Sequence, residues 1–258
     1  MGKVIAADAG NSNIVLGCFD GSRLLFTDRL ETRRKWTSQS MSLELVRRLR
    51  DMKTDPGEIE GSIISSVVPE VDPVLAASLE KVTGKAPLMM NTGLQTGIGT
   101  GLYDTTNFGQ DRLADMAAAI AFYGTPVAGY DLGTCTTLSV VDRQARFIGG
   151  MISAGVQLSL DAQAERTSKL PQLTADMADS LLGLDTISNM ISGSVASTGI
   201  MMDGVIGRIM DEYSLPDLNV VITGGNGRFV LPWLRHRVTY DPDLLLKGLL
   251  TIYHRNAS

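Results

Sequence analysis

Two short stretches of the chain, which begin at Asp8 and Asp131, place a carboxylate beside glycine and small polar side chains. Each reads Asp-x-Gly, then small polar residues, then a β-type run. A strand that turns at such a sequence leaves backbone N–H groups and hydroxyls free, and Gly10 and Gly133 leave room for a bulky anion. The turns could therefore hold phosphate oxygens. Because the carboxylates would repel phosphate, a hard cation or an ordered water must lie between them.

A third stretch, "VVITGGNGRF", reads as a buried strand that ends in Gly224 and Gly225. The missing side chains would let a flat base or a ribose approach the backbone. Any one of the three stretches could be an ordinary turn, but their order on two pseudo-repeats predicts a polyphosphate clamp with nucleotide between two domains. The chain has no Gly-Lys-Ser/Thr of a Walker A loop, and its glycine spacing is not that of a Rossmann fingerprint.

The strands and helices around these turns follow an α/β pattern that occurs twice. Strand-like runs at "KVIAAD", "NIVLGCF", "RLLFTDRL", "GSIISSVV" and "APLMMN" surround two helical stretches. In the first of these helices Leu43, Val46 and Leu49 recur at a helical interval. The pattern restarts after the helix "DRLADMAAAIAFYG" with "PVAGYD". We therefore predict two similar domains, residues 1–112 and 113–258.

The composition argues against several classes of protein. Charged residues make up 20% of the chain and the net charge is -5, which gives no electrostatic reason to expect nucleic acid or an anionic membrane as a partner. The opening residues contain no long apolar region and no apolar run reaches about 18 residues, so we expect neither a signal peptide nor a membrane span.

Cys18 and Cys135 each lie in a β-type run, which predicts reduced, buried thiols and a cytoplasmic protein. His236 and His254 lie away from every motif, and we expect no zinc site.

As a set, these motifs resemble the superfamily of actin, sugar kinases and heat-shock ATPases, in which two ribonuclease-H-like domains close around ATP. The resemblance narrows to the type III pantothenate kinases, because the order of motifs is that of the family. The motifs are "DAGNSNIV", "ISSVVP", "GQDR", "DLGTCTT", "GGMISAGVQLSLDAQAERTSKLP" and "VITGG". The resemblance implies an α/β, actin-like ATPase fold and phosphorylation of pantothenate to 4'-phosphopantothenate, the first step of coenzyme A biosynthesis.

The resemblance also implies roles for individual residues. Asp111 is the general base that takes the proton from the primary hydroxyl of pantothenate. The residues expected at ATP are Asp8, Ala9, Gly10, Asn11, Ser12, Asn13, Ile14, Val15 and Thr134. The residues expected at pantothenate are Tyr103, Gly109, Gln110, Asp111, Arg112 and Thr186. A monovalent cation, potassium or ammonium, is expected at Asp131, and Mg²⁺ accompanies ATP.

The residue types alone leave other interpretations open. Asp111 and Arg112 could form a surface pair, Tyr103 could be a core aromatic residue, and Thr186 could be the N-cap of a helix. The resemblance implies a homodimer that completes the acceptor site, although the helices around "SVASTGIMMDGVIGRIM" could equally pack within one chain. The alternative functions are an ATP-binding regulatory factor without kinase activity and a sugar kinase of the same fold. The presence of Asp111 favours an enzyme, since a regulator needs no base.

Overall fold

The computed structural model describes residues 2–32, 35–91, 93–99 and 109–257. The described chain divides into two compact units. The first unit takes in the described parts of Met1–Ile98, Asp104–Ala118 and Leu244–Ser258, and the second takes in those of Gly99–Tyr103 and Ala119–Asp243. Tyr103 itself lies outside the described residues, so its predicted role at pantothenate stays a prediction.

The helices and strands follow one another in an order that repeats. The strands are β1 (Lys3–Ala9), β2 (Asn13–Asp20), β3 (Arg23–Glu31), β4 (Ile59–Ser66), β5 (Leu88–Met89), β6 (Val127–Leu132), β7 (Cys135–Val141), β8 (Phe147–Ala154), β9 (Asn219–Thr223) and β10 (Thr239–Tyr240). The helices are α1 (Ser38–Asp51), α2 (Asp72–Thr83), α3 (Gln110–Tyr123), α4 (Val156–Arg166), α5 (Thr186–Ile191), α6 (Ser197–Glu212), α7 (Gly227–Val230) and α8 (Leu244–Asn256).

Each unit is built on a five-stranded mixed sheet, and the two sheets share one topology. The first sheet has the order β3-β2-β1-β4-β5, and the second has the order β10-β9-β6-β7-β8, which is the same order read from the other edge. In both, the first two strands form an antiparallel hairpin, and the fourth strand runs parallel to the first. The predicted internal duplication is therefore confirmed in the backbone.

Each sheet has its own apolar core. In the first unit, alternate residues of β1 such as Ile5 and Ala7 pack with the facing side chains of α1 and α2, while α8 packs on β1, β2 and β4. In the second unit, Leu132 and Leu138 belong to a cluster that also contains Leu160 of α4 and Met202 of α6. These helices cover the sheets and fix the positions of the strand ends, from which the turns project.

The division into units differs from the predicted boundary between residues 112 and 113. The units change between Ala118 and Ala119, inside α3, and α8 belongs to the first unit although it ends the chain. The reason is a close contact: a Cβ on Gly248 of α8 would lie 1.8 Å from the Ala114 carbonyl oxygen of α3. This close approach of the α8 and α3 backbones joins the last helix to the first unit, and no local sequence pattern indicates it.

The buried face of α1 contains Leu49 but not Leu43, although both belong to the interval that indicated the helix. Leu43 is 66% exposed, whereas Met41, Leu45 and Leu49 are buried. These three residues are spaced by four, so they form one stripe along the helix, and they share a core with residues of α2. The apolar spacing in the sequence correctly indicated a helix. It was compatible with two overlapping apolar stripes, so it did not show which of them is buried.

Both cysteines are free thiols, as expected. Cys18 is buried in the middle of β2, but Cys135 is only half-buried, because it is the first residue of β7 and lies beside a turn. Among the described residues, no helix is both long and apolar enough to cross a membrane.

Candidate functional site

The β1–β2 turn is fixed by hydrogen bonds to its backbone. The Gly10 N–H donates to the Asn13 carbonyl at 3.0 Å and closes the turn. Thr32, which follows β3, donates from its hydroxyl to the Gly10 carbonyl at 2.7 Å and from its N–H to the Ser12 carbonyl at 3.0 Å. Asn11 and Ser12 remain exposed at the tip. The turn is thus a rigid, polar loop, and Thr32 is a supporting residue that no sequence motif had indicated.

Asp8 lies at the end of β1, opposite Ser65 on the parallel strand β4. The buried Ser65 hydroxyl donates a hydrogen bond to the Asp8 carboxylate. Burial raises the pKa of Asp8 to about 6, the negative charge of Asp111 adds to the rise, and the bond from Ser65 opposes it. Asp8 and Asp111 are therefore close enough for one charge to influence the other.

Asp111 occupies the first turn of α3, where an anion is stabilised by the helix N-terminus. Its Oδ1 accepts a hydrogen bond from the Arg112 N–H at 2.8 Å. A Cβ on Gly109 would lie 2.4 Å from that oxygen, so a side chain there would displace the carboxylate. Gln110 is partly exposed and Arg112 is buried beside the carboxylate. The "GQDR" motif thus places its Asp at the same end of the first sheet as the β1–β2 turn.

The β6–β7 turn is the counterpart of the β1–β2 turn but is one residue shorter. Asp8 pairs with Val15 across its hairpin, whereas Asp131 pairs with Thr137. The Gly133 N–H donates to the Cys135 carbonyl at 3.1 Å, and Thr134 is exposed. The two turns therefore have the same position in the fold, but they present their polar groups differently.

Gly224, at the end of the "VITGG" strand β9, lies directly against Asp131. Its φ is 86°, and a Cβ there would lie 2.4 Å from Asp131 Oδ1 and 2.6 Å from the Leu132 backbone. Only glycine fits this position. Gly225, by contrast, faces open space. On the side where a Cβ would point, Gly224 is therefore filled by the Asp131 carboxylate and Gly225 is open.

Thr186 is the first residue of α5 and is exposed, and it is not the N-cap. The cap is Asp185, whose carboxylate accepts a hydrogen bond from the Ser188 N–H at 2.9 Å. That bond lowers the pKa of Asp185. Asp185 therefore caps α5, and the Thr186 hydroxyl is not needed for capping.

His236 is partly exposed, in agreement with the expectation for an isolated histidine. Its Nδ1 lies 2.8 Å from Asp203 Oδ1, which also accepts the backbone N–H groups of Arg235 and His236. The pair holds a loop in place. Within the described ranges, no group of three or more His, Cys, Asp or Glu side chains could bind a metal ion.

The duplicated sheet, with an Asp-x-Gly turn after the first strand of each repeat, defines the actin-like ATPase fold, the class that includes the sugar kinases. A solved structure described as a Baf family transcriptional activator from Campylobacter jejuni has a TM-score of 0.59 to this chain at 16% identity and covers 98% of each chain. That likeness shows the fold alone.

Sequence comparison identifies the family. The family model described as type III pantothenate kinase matches residues 4–208. A relative of that name from Agathobacter rectalis is 34% identical over 98% of this chain and 97% of its own length. Another, from Bifidobacterium animalis subsp. lactis, is 33% identical over 98% of this chain and 99% of its own length. The chain belongs to the type III pantothenate kinase family, which confirms the resemblance found in its motifs.

Proposed function

We propose that the protein transfers the γ-phosphoryl group of ATP to the primary hydroxyl of pantothenate, giving 4'-phosphopantothenate in the first step of coenzyme A biosynthesis. Family membership supports the substrates. The observation that carries the chemistry is the proximity of Asp8 and Asp111, which lets the charge of Asp111 act on Asp8. Phosphoryl transfer needs protein groups at two neighbouring places, one at the phosphates of ATP and one at the attacking hydroxyl.

In this proposal the ATP phosphates lie at Asp8–Val15, where Asn11 and Ser12 are exposed at the tip of a turn that hydrogen bonds hold in place. Thr134 of the second unit also contacts the nucleotide. Mg²⁺ bound with ATP supplies neutralisation of the phosphate charge. Asp8 fits a position near that cation, since its carboxylate is an oxygen ligand that the cation would hold in the charged form.

Asp111 accepts the proton of the pantothenate hydroxyl. An aspartate is a weak base, but in a loose transition state the proton leaves late, so a positioned carboxylate suffices. The hydrogen bond from the Arg112 N–H and the close backbone of Gly109 fix its orientation. The proposal assigns pantothenate contacts to the residues named from the family: Tyr103, Gly109, Gln110, Arg112 and Thr186.

The proposal also places a monovalent cation, potassium or ammonium, at Asp131. Hard cations of this kind take oxygen ligands, and Asp131 offers a carboxylate that lies close to Gly224. Replacement of potassium by sodium is the test of this part. An activity that does not depend on the cation would contradict it.

A cytoplasmic homodimer completes the proposal. Free thiols at Cys18 and Cys135 support a reducing compartment. Exposed apolar side chains on β8 of the second unit, Met151 at 49% and Ile152 at 66%, support an interface. Sedimentation equilibrium of the purified protein should give twice the mass of one chain, and a monomer at micromolar concentration would refute this part.

The second candidate is a regulatory factor that binds ATP without phosphorylating pantothenate. It is favoured only by the fold shared with the Campylobacter protein described as a transcriptional activator. Asp111 argues against it, because binding of ATP alone needs no base in the first turn of α3.

The deciding experiment is incubation of the purified protein with ATP, Mg²⁺ and pantothenate, followed by mass spectrometry of the products. Parallel reactions contain potassium or sodium, and a further one contains a hexose in place of pantothenate. We expect 4'-phosphopantothenate in the potassium reaction. A folded protein that binds ATP but forms no product would favour the regulatory function, and a phosphorylated hexose would favour a sugar kinase.

A further inference from the structure

Helices α5 and α6 belong to one helical run that is interrupted by a π-helical turn at Ser192–Ala196. A π turn contains one extra residue, so it changes which side chains face the interior, and such turns are frequent at functional sites. Ser192 and Ser194 are buried there, at 6% and 4% exposure. The widened turn therefore places two hydroxyl groups inside the second unit.

The two serines contact different parts of that unit. The Ser192 hydroxyl donates a 2.6 Å hydrogen bond to the backbone carbonyl of Ser180. The Ser194 hydroxyl accepts a 3.2 Å hydrogen bond from the side-chain amide of Gln163 on α4. Ser192 thus contacts the residues that lead into Thr186, and Ser194 does not. We use the term acceptor segment for residues 180–185.

Apolar burial contributes little to the conformation of the acceptor segment. Leu181, Leu182 and Leu184 are 55%, 79% and 98% exposed. Gly183 lies against the start of α5, where a Cβ would be 2.3 Å from the Asn189 nitrogen. The conformation must therefore depend on hydrogen bonds and on this close backbone approach.

Those hydrogen bonds hold both ends of the acceptor segment. At the end near α5, the Ser188 hydroxyl accepts the N–H groups of Leu184 and Asp185 at 3.0 and 3.1 Å. At the other end, the Ser180 carbonyl is bonded to Ser192. The segment also forms part of the wall of a cavity of about 430 Å³, together with Ser188 and Ser192.

We infer that Ser192 is a positioning residue for pantothenate: it holds the acceptor segment so that Thr186 stays at the correct place and angle. This inference rests on the proposed function, which assigns Thr186 to pantothenate. Ser192 acts through the backbone of the acceptor segment and not by touching the substrate. Loss of its hydrogen bond should weaken pantothenate binding and leave ATP binding and the chemical step largely intact.

The test compares Ser192→Ala with the matched control Ser194→Ala, which removes the other buried hydroxyl of the same π turn. We expect Ser192→Ala to raise the KM for pantothenate roughly 3- to 10-fold, as for loss of one hydrogen bond, with the KM for ATP and kcat within about twofold. Amide hydrogen exchange at Leu184 and Asp185 should become faster in this variant. Ser194→Ala should leave the KM for pantothenate and the amide exchange at Leu184 and Asp185 unchanged.

A second variant, Gly183→Ala, displaces the same segment without changing Ser192 and should produce the same rise in KM. If Ser192→Ala is misfolded by circular dichroism, this variant decides the question. Equal pantothenate KM values in Gly183→Ala and the wild type, or unchanged amide exchange in Ser192→Ala, would overturn the inference. A wild-type protein that forms no phosphopantothenate would instead overturn the proposed function and the role in acceptor binding, and the exchange comparison would still show whether Ser192 holds the segment.

Discussion

Asp8 on β1 and Ser65 on β4 lie opposite each other in a parallel pair, and the Ser65 hydroxyl donates a hydrogen bond to the Asp8 carboxylate. The second unit repeats this arrangement in register, with Thr223 of β9 opposite Asp131 of β6. Both hydroxyl residues are buried. Each repeat thus sets a hydroxyl side chain opposite the aspartate near the end of its first strand.

Replacement of Asp8 by Asn should stabilise the protein at neutral pH. Folding raises the pKa of Asp8 from 3.8 to about 6, so the folded state holds this proton more tightly and loses stability as the pH rises through that range. The shift corresponds to about 2–3 kcal/mol above pH 6. We expect a higher thermal midpoint for Asp8→Asn than for the wild type at pH 8, measured with EDTA present, and little difference below about pH 4.

The control for this comparison is Asp20→Asn, at the exposed end of β2. Because this carboxylate is exposed, its replacement should leave the thermal midpoint close to that of the wild type. The stabilised Asp8→Asn variant should also lose kinase activity, since the carboxylate at the phosphates is gone. An active Asp8→Asn variant would contradict the assignment of Asp8 to ATP.

Replacement of Asp111 by Asn should lower the rate of phosphoryl transfer by a factor of roughly 10²–10⁴, the usual effect of losing a general base. The amide keeps the shape of the side chain and an oxygen for the Arg112 N–H, so the fold and ATP affinity should persist. The measurements are kcat with pantothenate and calorimetric titration with ATP. Activity near that of the wild type would exclude the proposed base.

Replacement of Gly224 by Ala should impair both stability and the cation site. The positive φ and the 2.4 Å approach to Asp131 Oδ1 should together cost on the order of 1–3 kcal/mol. The potassium concentration that gives half-maximal activity should rise. Gly225→Ala is the matched control, because its Cβ would enter open space, and equal behaviour of the two variants would show that Asp131 is not held by this contact.

Replacement of Gly248 by Ala should separate α8 from α3. A Cβ there would lie 1.8 Å from the Ala114 carbonyl oxygen, so the helix must move, and we expect a lower thermal midpoint and faster proteolysis after residue 243. Gly204→Ala in α6 is exposed and meets no atom within 4 Å. It should stabilise the protein by about 0.5–1 kcal/mol, and an equal loss of stability in both variants would argue against the contact with Ala114.

Much of the fold could be predicted because each repeat contains local patterns that depend on neighbouring residues. The strand runs, the Asp-x-Gly turns and the duplication are of this kind, and the two sheets have the topology that such a duplication requires. The membership of α8 in the first unit could not be predicted, since it depends on contacts between Gly248 and Ala114, which are far apart in the sequence. The buried face of α1 was also ambiguous until α2 was seen to pack on it.

Residue types and their order were enough to recognise the family, the repeated phosphate turns and the candidate residues. The residues that support those candidates became visible only in the folded chain. Thr32 secures the β1–β2 turn, Ser65 bonds to Asp8, Gly224 makes room for Asp131, and Ser192 holds the segment before Thr186. These contacts join residues distant in the chain, and a hydrogen bond or a close approach depends on positions in space, which local sequence patterns do not specify.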